Sequence, residues 1–121
     1  MTIRSHTDLE VWKDAMRLVE IAYQFTDTLL AREQYGLTQQ IRRAAVSVPS
    51  NIAEGHSRHT RPAYLHHLGI ALGSQAELET QIELVVRLGM ATESAAAECA
   101  KQAARVGKRL HALVDSLERS E

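Results

Sequence analysis

The chain has 121 residues, 45% of them hydrophobic and 24% charged, with fourteen Lys and Arg against fifteen Asp and Glu for a net charge of -1. A chain this apolar is built to fold, and its length predicts one domain over residues 1–121. The near-balance of charge excludes a surface that is basic throughout. The single cysteine excludes an internal disulfide, and no apolar run approaches the ~18 residues of a membrane span. No basic and then apolar leader opens the sequence, so the expected compartment is the cytoplasm.

The first predicted helix runs from Asp8 to Leu30, with Asp8 as its N-cap. Leu9, Trp12, Met16, Val19, Tyr23, Thr26 and Leu30 recur at steps of three and four, and Val11, Ala15, Leu18, Ala22, Phe25 and Leu29 form an adjoining stripe. One stripe suffices in a small solitary bundle. The doubled stripe therefore predicts either a widened core face or burial against another subunit. From Ala31 to Gly36 the pattern lapses, and Gly36 marks a turn.

The second predicted helix carries Leu37, Ile41, Ala44, Ala45, Val48 and Ile52 in phase up to Gly55, straight through Pro49. An internal proline costs ~3 kcal/mol, yet the unbroken phase predicts a kink and not a stop. Ser47, Ser50 and Asn51 are placed to serve the freed carbonyl of Ala45. Gly55 to Arg61 is polar and basic, and reads as a loop. Thr60 with Pro62 starts the third helix, whose stripe of Leu65, Leu68, Leu72 and Ala76 is continued on a displaced line by Leu78, Ile82, Val85 and Val86. Gly69 and Gly73, one turn apart, predict a second backbone passing close by. Gly89 ends that helix and Thr92 with Glu93 caps the fourth, which repeats Ala96, Cys99, Ala103, Val106, Leu110, Leu113 and Leu117. The fold class is all-α, an antiparallel up-down-up-down four-helix bundle with its second helix kinked at Pro49.

The segment from Tyr35 to Gly55 is the most distinctive. Its Gly-Leu, Gln, Arg-Arg-Ala-Ala and Ser-Val-Pro-Ser-Asn-Ile-Ala-Glu-Gly resemble the bacterial four-helix-bundle proteins first noticed as products of intervening sequences in 23S ribosomal RNA genes. The likeness extends to Leu9, Val11, Trp12, Ala15 and Leu18, and to Leu72, Gly73, Ser74, Glu77 and Leu78. The resemblance implies a cytoplasmic bundle that often assembles as a ring of five, in a family whose members mostly have no established activity. One related branch, the accessory variability protein of diversity-generating retroelements, is similar in fold and works with a reverse transcriptase and nucleic acid. Two departures stand out: that branch is markedly basic, and Leu30-Ala31 stands where the family often has Phe-Pro.

Charge is unevenly spread. Residues 8–30 carry five acids and two bases, whereas Arg42, Arg43, Arg58 and Arg61 face only Glu54 between Leu37 and Arg61. Lys101, Arg105, Lys108 and Arg109 meet no acid between Glu98 and Asp115. Repeated around a ring, these eight cations form a candidate nucleic-acid surface. Arg42 and Arg43 read first as structural or interfacial, placed to pair with Glu54, Glu77 or Glu79 across the bundle. His56, His59, His66 and His67 lack accompanying ligands at metal-site spacing, so no metal is expected. Cys99 falls in an apolar seam, and the serines lack a nucleophile-elbow setting, so no cofactor and no enzymatic activity are expected. The reading is a non-enzymatic homo-oligomer, pentameric by resemblance, acting as an assembly or interaction module through Val11, Trp12, Leu18, Phe25, Asn51 and Glu54. The alternative is a nucleic-acid-binding accessory factor.

Overall fold

Where each helix begins and ends follows from how its free backbone groups are satisfied. The computed structural model describes residues 3–29 and 36–119. They form a short 3-10 turn at His6–Asp8 and helices α1 (Glu10–Thr26), α2 (Leu37–His56), α3 (Arg61–Arg87) and α4 (Glu93–Arg119). The predicted positions of Leu30 and of the lapse from Ala31 to Tyr35 lie outside the described residues. Thr60 Oγ1 accepts from Ala63 N at 3.3 Å and Thr92 Oγ1 from Ala95 N at 3.0 Å, so both expected N-caps form. Gly89, at φ 76°, closes α3 as expected: its N–H donates to Val86 O at 3.0 Å, and Met90 N–H donates to Val85 O at 2.8 Å.

Asp8 does not cap α1. The 3-10 turn carries it one step before the helix, and its carboxylate reaches back to accept from Arg4 N at 2.9 Å and Ser5 N at 3.2 Å. Those two amide bonds hold its carboxyl below the usual 3.8.

The helices pack in a cycle. Each of α1 and α3 lies against both α2 and α4, and among the described residues no diagonal pair brings its backbones close, which is the up-down-up-down order. The core takes one stripe of α1, namely Val11, Ala15, Leu18, Ala22 and Phe25, together with Leu29 just beyond it. Ile41, Val48 and Ile52 of α2, Leu68, Leu78 and Val85 of α3, and Val106 and Leu110 of α4 complete it. Val11, Leu18 and Phe25 are thus corrected as interface residues. They are buried by their own chain, with Leu18 at 0% exposure, and offer no surface to another.

Helix α2 runs through Pro49 without a break. The carbonyl of Ala45 is not served by Ser47, Ser50 or Asn51. Asn51 donates to Ser47 O at 2.9 Å instead, because Ser47 lies one turn back on the same side, whereas Ala45 lies six residues away.

The close backbone approach predicted at Gly69 and Gly73 is also corrected. A Cβ built at either would meet nothing within 4 Å, because both lie on the outer surface of α3. Close packing occurs at Gly55, where a Cβ would fall 2.9 Å from His67 Cβ and 3.2 Å from Tyr64 O. It occurs again at Gly107, where the buried amide of Gln75 occupies the place of a side chain and donates to Ala103 O at 2.9 Å. The true seam of α3 is Leu68, Ala71, Gln75, Leu78, Ile82 and Val85, a continuous three-four rhythm with one polar member. The predicted displacement between the stripe of Leu65, Leu72 and Ala76 and the line of Leu78, Ile82 and Val85 arises from skipping Gln75.

Candidate functional site

Three surfaces carry the chemistry that the core does not use. The first is an open groove of about 460 Å³ between α2 and α3, lined by Gln40, Arg43, Ser47, Ser74, Glu77 and Gln81. Its floor is tied across the helices, since Ser74 Oγ donates to Ser47 Oγ at 2.8 Å and Asn51 supports Ser47 from one turn on. Asn51 Oδ1 also meets His67 Nδ1 at 3.2 Å. Gln81 is 5% exposed and its Oε1 has no donor among the described residues. An orphaned buried acceptor costs ~1–3 kcal/mol, so this residue is the groove's least satisfied group. Along α3, Ile70, Ser74, Glu77, Gln81, Leu84 and Leu88 recur at four-three spacing, with Ile70, Leu84 and Leu88 exposed.

The second surface is a groove between α1 and α4, lined by Arg17, Lys101, Arg105, Lys108 and Arg109 with Ile21, Glu98 and Gln102. Asp14 stands under it. Arg105 Nε lies 3.5 Å from Asp14 Oδ1 and Arg109 Nη1 lies 3.0 Å from Oδ2, while Gln102 donates to the Asp14 carbonyl at 2.9 Å. The Arg109 ion pair lacks hydrogen-bond alignment, so its attraction is that of charge at short range.

The third surface is the other stripe of α1. Met16 and Tyr23 are 43% and 40% exposed, and Trp12 and Val19 between and beside them are half-buried. Arg42 closes one end, with its guanidinium 4.4 Å above the Tyr23 ring, Nε donating to Thr26 Oγ1 at 2.7 Å and Nη2 to Asp27 Oδ1 at 2.8 Å. The pairing predicted for Arg42 with Glu54, Glu77 or Glu79 is therefore corrected. Helical geometry turns Arg42 toward α1 and the neighbouring Arg43 toward α3, a separation that two adjacent positions on one helix impose. Arg43 shares the first groove with Glu77 without forming an ion pair, and Glu54 pairs with Arg58 at 3.5 Å.

The eight basic residues singled out in the sequence thus do not share a face. Arg42 is held by α1, Arg43 lies in the α2–α3 groove, and Arg61 donates to Leu117 O at 3.0 Å near the end of α4. Lys101, Arg105, Lys108 and Arg109 gather in the α1–α4 groove, joined by Arg17, which lies in the acidic first helix and so does not stand out in the sequence. Among the described residues no three His, Cys, Asp or Glu side chains converge as metal ligands. Cys99 is buried, and burial together with the nearby Glu98 pushes its thiol up to about 11.

The distinctive α2 segment supplies Gln40, Arg43 and Ser47, the last held by Asn51, and they meet Ser74 and Glu77 of the matching α3 segment in one groove. The sequence profile of the 23S rRNA-intervening sequence proteins matches residues 7–112, which spans nearly all four helices. The chain belongs to the 23S rRNA-intervening sequence protein family. A similar solved structure is that of a protein with unknown function from the S23 ribosomal protein family of Bacteroides thetaiotaomicron. It is 23% identical, covers 86% of this chain and 97% of its own, and superposes with a TM-score of 0.79, a likeness that establishes the fold. No curated protein matches the chain. The 23S rRNA-intervening sequence protein match takes in both grooves and the exposed stripe of α1, and stops short of Leu113 and Leu117. No described helix is long and apolar enough to cross a membrane.

Proposed function

We propose that this member of the 23S rRNA-intervening sequence protein family is a non-enzymatic, cytoplasmic assembly module, one domain that self-associates, with five copies as the number suggested by the family resemblance. The observation that carries the reading is the Trp12, Met16, Val19 and Tyr23 stripe. It repeats at helical spacing beside a stripe already buried, and it leaves two large side chains about two-fifths exposed on one helix. Such a run is favourable to cover, at ~25 cal/mol per Å² of apolar surface removed from water. Trp12 remains a candidate contact residue here, whereas Phe25 serves as the control for core damage. Sedimentation of the purified protein should give a mass several times that of one chain. Met16→Asp should lower the mass with helicity kept, and Phe25→Asp should unfold the chain. A wild-type protein that sediments as a monomer at high concentration removes the reading.

A second reading, a nucleic-acid accessory role, is favoured by the five cations of the α1–α4 groove. Binding of RNA or DNA through them should weaken steeply with salt and fall when Lys101 and Lys108 become Glu. Absence of binding at low salt removes it.

A further inference from the structure

We infer that the α1–α4 groove is a binding site for a short oligophosphate chain, free or at the end of a nucleotide. The inference takes the groove of the nucleic-acid reading and commits it to a different class of ligand. Its cations stand in a bounded row. Along one face of α4, at steps of three and four, Glu98, Lys101, Arg105, Lys108, Ala112 and Asp115 follow one another, all exposed. Three cations therefore occupy ~10 Å of helix, with a carboxylate beyond each end of the row. Arg109 stands beside them and Arg17 joins from α1, around an open groove of about 750 Å³ whose lining includes the buried Ile21. A continuous strand of nucleic acid laid along α4 would run off the cations onto Glu98 and Asp115, which repel its phosphates. Its bases would find no ring to stack on, because no aromatic side chain lines the groove. A few linked phosphates concentrate their charge within the row and meet neither penalty.

Asp14 prepares the site without filling it. It holds Arg105 through Nε at 3.5 Å and Arg109 through Nη1 at 3.0 Å. A guanidinium carries five N–H donors, so each arginine is positioned and keeps donors for phosphate oxygens. Lys101 and Lys108 enter no ion pair among the described residues and add mobile point charges.

Calorimetric titration of the full chain with inorganic triphosphate, in metal-free buffer, tests this beside titrations with ATP and with a single-stranded oligonucleotide. One triphosphate should bind per chain, and more tightly than the oligonucleotide. Lys101→Gln with Lys108→Gln, at two exposed positions, should weaken triphosphate binding by at least about tenfold while far-UV circular dichroism is unchanged. Should that pair lower helicity, Arg17→Gln on α1 makes the same comparison from the opposite wall. ATP that binds no tighter than triphosphate makes the free phosphate chain the ligand, and ATP that binds tighter assigns the site to a nucleotide; either supports the inference. An oligonucleotide that binds tighter than triphosphate overturns it and leaves the nucleic-acid reading standing. Triphosphate binding that survives the substitutions undiminished also overturns it, because the anion then sits elsewhere. Absence of binding by all three at low salt removes both readings of the groove.

Discussion

The two grooves of the bundle are built from the same kind of helix pair and end in opposite states. Between α1 and α4 the central acid, the partly buried Asp14, is met by Arg105 and Arg109, and cations then outnumber acids along the rim. Between α2 and α3 the charges balance, the floor is tied by neutral hydrogen bonds, and one buried acceptor is left over. The difference teaches that local charge is a poor guide to which surface is incomplete. In the basic groove the charge of Asp14 is answered by two arginines, whereas in the neutral one the Gln81 acceptor has no donor among the described residues.

The contrast can be broken most forcefully at Gly55. Gly55→Leu drives a side chain into the backbone of α3 at Tyr64 and should destabilise the chain by ~3 kcal/mol, read from the urea midpoint. The same change at Gly73, which lies exposed inside α3 and faces open space, should instead raise stability by up to ~1 kcal/mol. Gln81→Leu should raise stability by ~1 kcal/mol, because the orphaned acceptor disappears. A loss there would mean that Gln81 is satisfied within one chain. Asp14→Ala should cost about 1 kcal/mol, a partly exposed ion pair being screened by solvent. Under the nucleic-acid reading it should also tighten polyanion binding by freeing Arg105 and Arg109. The smallest effect concerns pH. The Cys99 thiol holds its proton up to about 11 against 9.0 when unfolded, so its contribution is complete below pH 9.0 and fades as pH rises through 11. Thermal melts across that range should fall more steeply for wild type than for Cys99→Ala.

Much of the fold is legible in the sequence because apolar rhythm and helix caps are local signals. Thr60, Thr92 and Gly89 act where their residue types predict, and the α4 seam keeps its register from Ala96 to Leu110. The α3 seam is obscured for a physical reason: Gln75 is a buried polar residue within it, and a search for apolar periodicity passes over it. Treating position 75 as a polar member of an otherwise apolar seam recovers it. Long-range choices leave no local trace. Nothing in the sequence distinguishes the glycines that admit a neighbour, Gly55 and Gly107, from those that face outward, Gly69 and Gly73. Arg42 and Arg43 are alike in composition and adjacent in sequence, and their fates diverge through the rotation of α2 alone. The candidate site is legible as a motif and not as a surface, since its residues belong to two helices that meet only on folding.

The amide of Gln75 lodged over Gly107 has a consequence for how uniquely the bundle is defined. A core of alanine, valine and leucine tolerates sliding one rod past another by a turn, with similar burial at either setting. Here a slip of α4 by one turn would strand the amide against a methyl-bearing residue and strip it of the Ala103 carbonyl. One wedge of polarity therefore sets the axial alignment of the two longest helices, and with it the level at which the family motif faces its neighbour.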